Sequence, residues 1–253
     1  MLTAITRAVS PGIVTCELTF VARQPIELAR AEAQHRAYQE LLEKLGARVI
    51  SLPAEAALPD SMFVEDPAIV LDELAIIFPL GTESRRAEGA SIAQALAKFR
   101  KIACVDLPGT VEGGDVFRVG QRLFAGVSSR TNAEGIRQLA SIVAPYGYEV
   151  VSVAVTGCLH LKSAATALNS ETVLLNPAWI APRVFDNYDR VEIDPAETAA
   201  ANVVSVNGRL IAGAAFSRTC ERLERRGFSV VGVDARELAR AEGALTCCSL
   251  LVS

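Results

Sequence analysis

The feature that most constrains the fold of this chain is an internal repeat. Five segments share one order of features: a polar or reactive cluster, an extended apolar run, a turn and a second apolar run. The segments are VEDPAIVLDELAIIFPLG from Val64, EGGDVFRVGQRLFAGVS from Glu112, HLKSAATALNSETVLLNP from His160, AANVVSVNGRLIAGAAF from Ala200, and TCCSLLVS from Thr246. Two apolar runs around a turn such as Asn207 and Gly208 predict a β-hairpin. The last segment lacks a second run, and we expect the N-terminal GIVTCEL to supply it.

A helix and a further strand are expected between consecutive hairpins. QPIELARAEAQHRAYQELLEKLG has apolar residues at helical spacing and ends on Gly46, a residue type that often follows a helix. RRAEGASIAQALAKFRK, TNAEGIRQLASIVAPYG and SRTCERLERRG repeat this pattern, and strand-like runs such as YEVVSVAV and FSVVGVD come after the helices. The repeating unit is therefore strand, strand, helix, strand (ββαβ), and the chain holds about five of them.

Radial repetition of such units, as in propellers and barrels, would bring the same corner of each unit to a common axis. The leading residues of the five clusters recur at intervals of about 42 to 48 residues. They are Glu65, Glu112, His160, Asn202 and Cys247. Any α/β chain alternates strands and helices, so the pattern alone leaves a non-radial arrangement open. If the arrangement is radial, these distant side chains line one central pocket.

Composition narrows the class of protein. Hydrophobic residues make up 51% of the chain, which is typical of a globular protein, and 253 residues can build a core without disulfides. The net charge is −4 without a lysine or arginine run, which argues against nucleic acid and anionic membranes as partners. A signal-peptide pattern and an apolar membrane span are not recognisable. We expect a single cytoplasmic α/β domain, residues 1–253, that acts on a small molecule.

The thiols and histidines suggest nucleophilic chemistry. Six cysteines are scattered apart from the pair Cys247 and Cys248, with no zinc or disulfide spacing, so a reactive thiol must be identified by its neighbours. His35 lies among charged residues of a predicted helix and is expected to be structural or on the surface. His160 opens a hairpin at the corner that the repeat assigns to the pocket, which makes it a general acid/base candidate. Glu112 precedes two glycines and can orient an imidazole.

Acids and arginines complete the candidate set. Asp60, Glu65 and Asp66 are concentrated in LPDSMFVEDPAIV, and carboxylates in one pocket repel each other unless a cation binds among them. Calcium or magnesium would satisfy them, but no DxDxDG loop is present, and a planar guanidinium suits the acids at least as well. Arg85 and Arg130 each follow a hairpin and precede a helix, where they can clamp a carboxylate. A guanidinium head with an α-carboxylate tail describes an arginine derivative.

Five motifs in this order resemble one known family. FVEDPAIV, EGGDVF, SSRTN, LHLKS and the terminal LTCCS are similar to those of the dimethylarginine dimethylaminohydrolases, members of the guanidino-group-modifying (pentein) superfamily. The similarity extends from about Leu18 to the C-terminus. It implies a five-bladed α/β propeller of pseudo-symmetric ββαβ repeats. It also implies hydrolysis of N-ω-methylated arginines to citrulline and a methylamine through a covalent cysteine thiouronium, with no cofactor and no metal.

The resemblance also implies roles for individual residues. By its motifs Cys247 is the nucleophile, His160 the general acid/base, and Glu112 the acid that supports the histidine. The substrate-binding residues that it implies are Leu18 on a lid-like N-terminal loop, Asp60, Glu65 and Asp66 at the guanidinium, and Arg85 and Arg130 at the amino-acid end. Some relatives carry aspartate in place of Glu112, so the reach to the histidine is about one methylene longer here. Cys248 is expected to point to the other face of the same strand, into the core.

Two other functions stay open at this point. An arginine deiminase shares the same residue types but usually carries an added helical domain, which 253 residues cannot hold, and an amidinotransferase is disfavoured on the same ground. A non-catalytic protein could bind an arginine-like ligand or zinc through Cys247, His160 and the acids, since thiolate and imidazole are good zinc ligands. An open edge hairpin could support a homodimer.

Overall fold

The strands and helices follow the order that the repeat predicts. A computed structural model describes residues 1–253. The strands are β1 (Thr3–Arg7), β2 (Arg48–Leu52), β3 (Ala68–Val70), β4 (Leu74–Ile77), β5 (Lys101–Cys104), β6 (Val116–Val119), β7 (Arg122–Val127), β8 (Glu149–Ala154), β9 (Ala165–Ala167), β10 (Thr172–Leu175), β11 (Asp189–Glu192), β12 (Val204–Val206), β13 (Arg209–Gly213), β14 (Ser229–Val233) and β15 (Leu250–Val252). The α-helices are α1 (Leu28–Lys44), α2 (Gly89–Leu96), α3 (Ala133–Val143), α4 (Leu161–Ala164), α5 (Ser217–Arg225) and α6 (Arg236–Arg240).

The strands form five separate three-stranded sheets, which are the blades of a propeller. The sheets are β15-β1-β2, β3-β4-β5, β6-β7-β8, β9-β10-β11 and β12-β13-β14. In each blade the first two strands are antiparallel and the third is parallel to the second. Residues of all five first strands line one axial cavity of about 300 Å³. The first strands therefore surround a common axis, which confirms the five-bladed α/β propeller.

The hairpin turn at Asn207 and Gly208 illustrates how local sequence sets strand register. Both residues have positive φ, 48° and 79°. Such a pair forms a two-residue turn whose twist matches that of the flanking strands, and asparagine and glycine are the residue types that tolerate it. Val206 accordingly pairs with Arg209 across β12 and β13.

Four of the five blades connect their second and third strands by an α-helix, and one does not. The helices α1, α2, α3 and α5 make this connection, whereas β10 leads to β11 through a 3-10 turn at Pro182–Phe185. The expectation of a helix in every unit is therefore wrong for this blade. Pro177 and Pro182 explain the difference, because proline lacks a backbone N–H and disfavours helix in the residue before it.

The propeller closes by pairing of strands from the two ends of the chain, and the expected segment GIVTCEL does not take part. β15 pairs with β1 in antiparallel register, with Thr3 opposite Val252 and Ile5 opposite Leu250. GIVTCEL forms part of a 3-10 helix at Pro11–Thr15 and the loop after it. Pro11 begins that helix, and the Ser10 side chain caps it at the Gly12 N–H, so the segment cannot extend into a strand.

The helices cover the outside of the blades and bury one face each. In α1 the buried side chains include Ala31, His35, Tyr38 and Leu42, at the spacing of a single helical face. His35 is therefore structural, as expected, and burial lowers its pKa to about 4. None of the helices combines the length and the apolar character that a membrane span requires.

Candidate active site

A second, smaller cavity lies next to the axial one, among segments that precede the first strands or follow the second strands of the blades. It is lined by Glu17, Asp60, Phe63, Asp66, Arg85, Arg130, Leu159, His160, Ala241, Glu242, Gly243 and Cys247. Six of the nine candidate site residues predicted from the sequence thus line this cavity. Of the other three, Glu112 lies behind His160, and Leu18 and Glu65 lie outside the wall.

The two adjacent thiols occupy a turn and not a strand. Residues Thr246–Cys248 form a 3-10 helix, closed by the hydrogen bond from the Ser249 N–H to the Thr246 carbonyl, and β15 begins only at Leu250. Cys247 faces the cavity, whereas Cys248 is fully buried and its thiol contacts the Ala244 carbonyl at 3.4 Å. The prediction that Cys248 belongs to the core is confirmed, but the turn, and not strand alternation, separates the two side chains.

The environment of Cys247 disfavours the thiolate when no ligand is bound. Burial, followed by the negative charges of Asp66 and Glu65, raises the pKa of the thiol well above its usual value. The side chain is only 7% exposed, so water cannot solvate a negative sulfur there. A cationic ligand beside the sulfur would reverse this balance, because it would offset both nearby carboxylates.

His160 and Glu112 form a buried ion pair. His160 Nε2 donates a hydrogen bond to Glu112 Oε2 at 2.6 Å. Burial would lower the pKa of His160, but the carboxylates of Asp66, Glu112 and Asp115 outweigh it and raise the pKa to about 9. Burial would likewise raise the pKa of Glu112, but the hydrogen bond and charge of His160 and the two nearby arginines lower it to about 2. The imidazole is therefore charged at neutral pH and can donate a proton.

Glu112→Gln is expected to lower the pKa of His160 below about 9, because the protonated ring loses the carboxylate that accepts its hydrogen bond. The chain has only two histidines, and burial holds the other, His35, to a pKa of about 4. NMR titration of the two imidazoles can follow them separately, with His35 as an internal control. An unchanged His160 midpoint in the variant would contradict the assigned cause.

The two glycines of the EGGD motif are explained by close packing on both sides of the site. A Cβ added at Gly113 would lie 2.0 Å from the Glu65 carbonyl oxygen, and one at Gly114 would lie 2.6 Å from His160 Nδ1. Both distances are far below van der Waals contact. The glycines therefore allow the backbone to pack directly against the imidazole.

Gly114→Ala is expected to displace the imidazole and to reduce kcat by about 10- to 100-fold, since small displacements of reacting groups have effects of this size. Steady-state assays of substrate turnover would measure it. Gly120→Ala on the same blade is the control for activity, because a Cβ there meets nothing within 4 Å and the positive φ of 60° lowers only the stability of the alanine variant. Equal kcat values for the two variants would show that the contact with His160 is unimportant.

Asp115 fixes the segment that follows His160. Its Oδ1 accepts a hydrogen bond from the Leu161 N–H at 2.8 Å, and its Oδ2 accepts one from the Ser128 hydroxyl at 2.6 Å. The carboxylate is fully buried and caps the first turn of α4. In the sequence, the only signal for this role of Asp115 is its position in the EGGD motif.

Asp66 presents an unpaired acceptor to the interior. Its Oδ2 accepts a hydrogen bond from Arg85 at 2.9 Å, but its Oδ1 is buried without any hydrogen-bond partner. Leaving a buried carboxylate oxygen unpaired is costly, so a ligand that donates an N–H at this position would be favoured. Asp60 lies in the same wall, and its Oδ2 accepts the Glu17 backbone N–H at 3.1 Å.

The two arginines of the cavity are held by protein groups. Arg85 is bound in bidentate fashion by Glu88, with both contacts at 2.9 Å, and pairs with Asp66. Glu88 was not singled out from sequence, although its position three residues after Arg85 at a helix start was a signal. Arg130 donates to the hydroxyls of Thr82 and Thr19, the latter at 2.9 Å.

Glu65 faces away from this cavity, although it is adjacent to Asp66 in sequence. Its carboxylate accepts hydrogen bonds from Lys162 Nζ at 2.5 Å and from the Thr246 hydroxyl at 2.7 Å, and it lines the axial cavity. Its backbone N–H donates to the Cys247 carbonyl at 3.2 Å. Glu65 therefore lies beneath the cysteine turn, on the side of the axial cavity.

The N-terminal loop, residues 16–27, covers the cavity. The Glu242 carboxylate accepts the backbone N–H groups of Thr19 and Phe20 at 2.6 and 2.7 Å, and Glu242 has a positive φ of 58°. Leu18 packs on the apolar cluster beneath the loop. With the loop in place, water-sized molecules can occupy only about 10 Å³. The sequence offered no signal for Glu242.

Three residues of the site could together coordinate a cation. Ligand atoms of Asp66, Glu112 and His160 lie within 4.8 Å of one another. The hydrogen bond between His160 Nε2 and Glu112 Oε2 joins two of these residues directly. The arrangement is suited to proton transfer.

Comparisons with known proteins agree with this geometry. The arginine deiminase family model matches residues 56–214. A dimethylarginine dimethylaminohydrolase from Pseudomonas aeruginosa is 36% identical over 88% of this chain and 89% of its own length. One from Streptomyces coelicolor is 37% identical over 98% of this chain and 95% of its own. The structure of the Pseudomonas enzyme, a cysteine-to-serine variant in complex with citrulline, superimposes with a TM-score of 0.93 at 34% identity and covers 99% of both chains.

The family model extends over more than half of the chain, and two relatives above 30% identity extend over most of it. The fold of the solved relative matches from end to end. The chain therefore belongs to the dimethylarginine dimethylaminohydrolase family of the pentein superfamily.

Proposed function

We propose that this protein hydrolyses N-ω-methylated arginines to citrulline and methylamine or dimethylamine. The observation that carries the proposal is one cavity in which a thiol, an imidazolium and an unpaired carboxylate oxygen meet, at Cys247, His160 and Asp66. Two relatives that match most of the chain bear the name of this activity, and the related crystal structure holds citrulline.

Asp66 and Asp60 bind the guanidinium in this proposal. The free Oδ1 of Asp66 accepts a guanidinium N–H, which supplies the partner that this buried oxygen lacks. Arg85 and Arg130 lie in the same wall and attract the α-carboxylate at the other end of the substrate. Glu65, which the sequence also predicts on the guanidinium side, supports the cysteine turn from below, and its negative charge adds to the field that attracts the cation beside the sulfur.

Binding of the cationic substrate activates the Cys247 thiol that attacks it. A guanidinium carbon is a poor electrophile, so the sulfur must react as thiolate, but the carboxylates around Cys247 raise its pKa in the empty site. A bound guanidinium neutralises their field, lowers the pKa of the thiol and places its carbon beside the sulfur. The thiol proton passes to solvent as the cation binds, because His160 is already protonated and cannot accept it, and sulfur then attacks the carbon to form a tetrahedral adduct.

His160 serves the two halves of the reaction in opposite roles. It enters as imidazolium and donates a proton to the departing methylamine, which breaks the C–N bond and leaves a thiouronium on Cys247. Nε2 is engaged by Glu112, so Nδ1 is the nitrogen that faces the reaction. The neutral ring then takes a proton from water, whose oxygen attacks the thiouronium carbon, and citrulline leaves as the C–S bond breaks.

Substrate entry requires the N-terminal loop to move. An amino acid does not fit into about 10 Å³. The hydrogen bonds of Thr19 and Phe20 to Glu242, and of Thr19 to Arg130, are the contacts that must open. Leu18 lies between Glu17 and Thr19 on this loop and moves with it.

The proposal is tested by incubating the purified protein with asymmetric dimethylarginine, monomethylarginine or arginine and quantifying citrulline and the released amine. We expect equal amounts of citrulline and dimethylamine from dimethylarginine, and little ammonia from arginine. Preference for arginine would indicate a deiminase. Parallel assays with a chelator, followed by zinc, separate this mechanism from a metal-dependent one, because activity that vanishes with chelator and returns with zinc contradicts it.

The cellular setting follows the same reasoning. All six cysteines are free, and Cys247 must stay reduced to act. We therefore assign the reaction to a reducing compartment, the cytoplasm. A homodimer remains a prediction, which analytical ultracentrifugation would test.

A further inference from the structure

Asn202 is the one corner residue of the repeat that the proposed chemistry does not use. Glu65, Glu112, His160 and Cys247 occupy the equivalent corners of the other blades. Asn202 is only 5% exposed and lies just before β12. Its burial demands that all its polar atoms be paired.

Every hydrogen-bonding group of the Asn202 amide is engaged. Nδ2 donates to the Lys162 carbonyl at 3.1 Å and to the Thr246 hydroxyl at 3.0 Å. Oδ1 accepts the Thr246 backbone N–H at 3.1 Å. Asparagine is suited to this position, because it offers two donors and an acceptor without charge.

These bonds are part of a closed ring that joins four blades. Asn202 donates to the Thr246 hydroxyl, which donates to Glu65 Oε2, while Glu65 Oε1 accepts from Lys162 Nζ. The Lys162 carbonyl accepts from Asn202 and completes the ring. Each of the four residues lies just before the first strand of a different blade. The hydrogen-bond ring therefore connects segments that are distant in sequence.

The ring connects the two proposed reacting groups. Thr246 directly precedes Cys247, and Lys162 follows His160 by two residues in the turn that the His160 carbonyl closes with the Ser163 N–H. Glu65 bonds to the side chains of both segments, whereas Asn202 bonds to the backbone of both, at the Lys162 carbonyl and the Thr246 N–H, through one rigid amide. A change in its position would therefore alter the distance between the sulfur and the imidazole.

We propose that Asn202 is a positioning residue that sets the separation between Cys247 and His160. It contacts neither the cavity nor a ligand in it, so it acts only through the segments that carry those two side chains. Because the roles of Cys247 and His160 belong to the proposed function, this inference rests on that function.

The test compares Asn202→Ala with Asn176→Ala. Asn176 is also buried, and its side chain bonds to the backbone of Thr198 and Ala178, outside the ring. Both variants are expected to lose thermal stability. Only Asn202→Ala is expected to lose kcat, by about 10- to 100-fold, with KM within about threefold of the wild-type value, because misplaced reacting groups slow chemistry.

A second measurement needs no substrate. The rate of iodoacetamide alkylation at Cys247 is followed by mass spectrometry of the tryptic peptide that begins after Arg240. We expect it to rise at least about fivefold in Asn202→Ala, because displacement of the Thr246–Cys248 turn exposes a sulfur that is buried in the intact site and moves it away from the Asp66 carboxylate that disfavours its thiolate. It should be unchanged in Asn176→Ala. If wild-type protein fails to hydrolyse dimethylarginine while alkylation shows this difference, the proposed function fails and the positioning role stands.

Asn202→Asp covers the case in which the alanine variant does not fold. Aspartate keeps the size and the acceptor for the Thr246 N–H but loses both donated bonds, so we expect a comparable loss of kcat and a comparable rise in the alkylation rate. Wild-type kcat and wild-type alkylation in a folded Asn202 variant would overturn the inference, even if its stability were reduced.

Discussion

Cys247→Ser is expected to reduce turnover of dimethylarginine by at least about 10⁴-fold while leaving the fold intact, since removal of a catalytic nucleophile has effects of this order. A serine hydroxyl is a far weaker nucleophile than a thiolate, and a bound guanidinium cannot ionise it to a useful extent. The position tolerates the change because serine has nearly the same size and Cys247 faces a cavity. Citrulline formation and a thermal unfolding curve together measure the two effects.

Cys248→Ser is the matched control for that experiment. The neighbouring thiol is fully buried and contacts only the Ala244 carbonyl among hydrogen-bond acceptors, so a serine hydroxyl can keep the same contact. We expect this variant to retain most of the wild-type kcat, with a modest loss of stability. Equal loss of activity in the two variants would refute the assignment of Cys247 as the nucleophile.

The covalent step can be observed directly. Mass spectrometry of wild-type protein quenched during turnover should show, on the peptide after Arg240, an adduct with the mass of dimethylarginine minus dimethylamine. Fragmentation should place the adduct on Cys247 and not on Cys248. No adduct is expected with Cys247→Ser.

His160→Ala is expected to reduce amine release by about 10² to 10⁴-fold, which is the range for loss of a general acid. Methylamine leaves as a neutral molecule only if its nitrogen receives a proton, and His160, with its pKa near 9, is the charged donor in the cavity. Dimethylamine quantified by chromatography measures this step. Release near the wild-type rate would remove His160 from the mechanism.

An analogue with a better leaving group separates the two roles of His160. A leaving group that departs without a proton should restore the first half of the reaction in His160→Ala, but not the second, because no base remains to activate water. The thiouronium should then accumulate on Cys247. His35→Ala is the control: the second histidine is buried in α1, so we expect it to lose stability but to keep kcat.

The sequence predicted the architecture because the relevant signals are local. Hairpins depend on short apolar runs and turn chemistry, as at Asn207 and Gly208, where the residue types themselves permit the positive φ values. The spacing of the five corner clusters then implied that His160 and Cys247 converge, and both line one cavity. The helix expected between β10 and β11 is absent because prolines disfavour it there, as in the turn at Pro182–Phe185.

The sequence predicted which residues converge, but it did not predict the direction in which each side chain points. Glu65 and Asp66 are adjacent acids in one motif, yet Glu65 bonds to Lys162 and Thr246 beneath the cysteine turn and Asp66 faces the cavity. Which acid turns inward depends on groups about 100 and 180 residues away in sequence. No local pattern contains that information.

By itself the sequence determined the ββαβ units, their five-fold repetition and the residue types that meet at the axis, because periodicity and turn chemistry act within a few residues. Other features depended on the tertiary structure. They are the turn that separates Cys247 from Cys248, the pairing of β15 with β1 that closes the propeller, the Glu242 contacts to the N-terminal loop and the hydrogen-bond ring around Asn202. Each of these is a contact between segments brought together only when the blades assemble, and its geometry depends on how their side chains pack against one another.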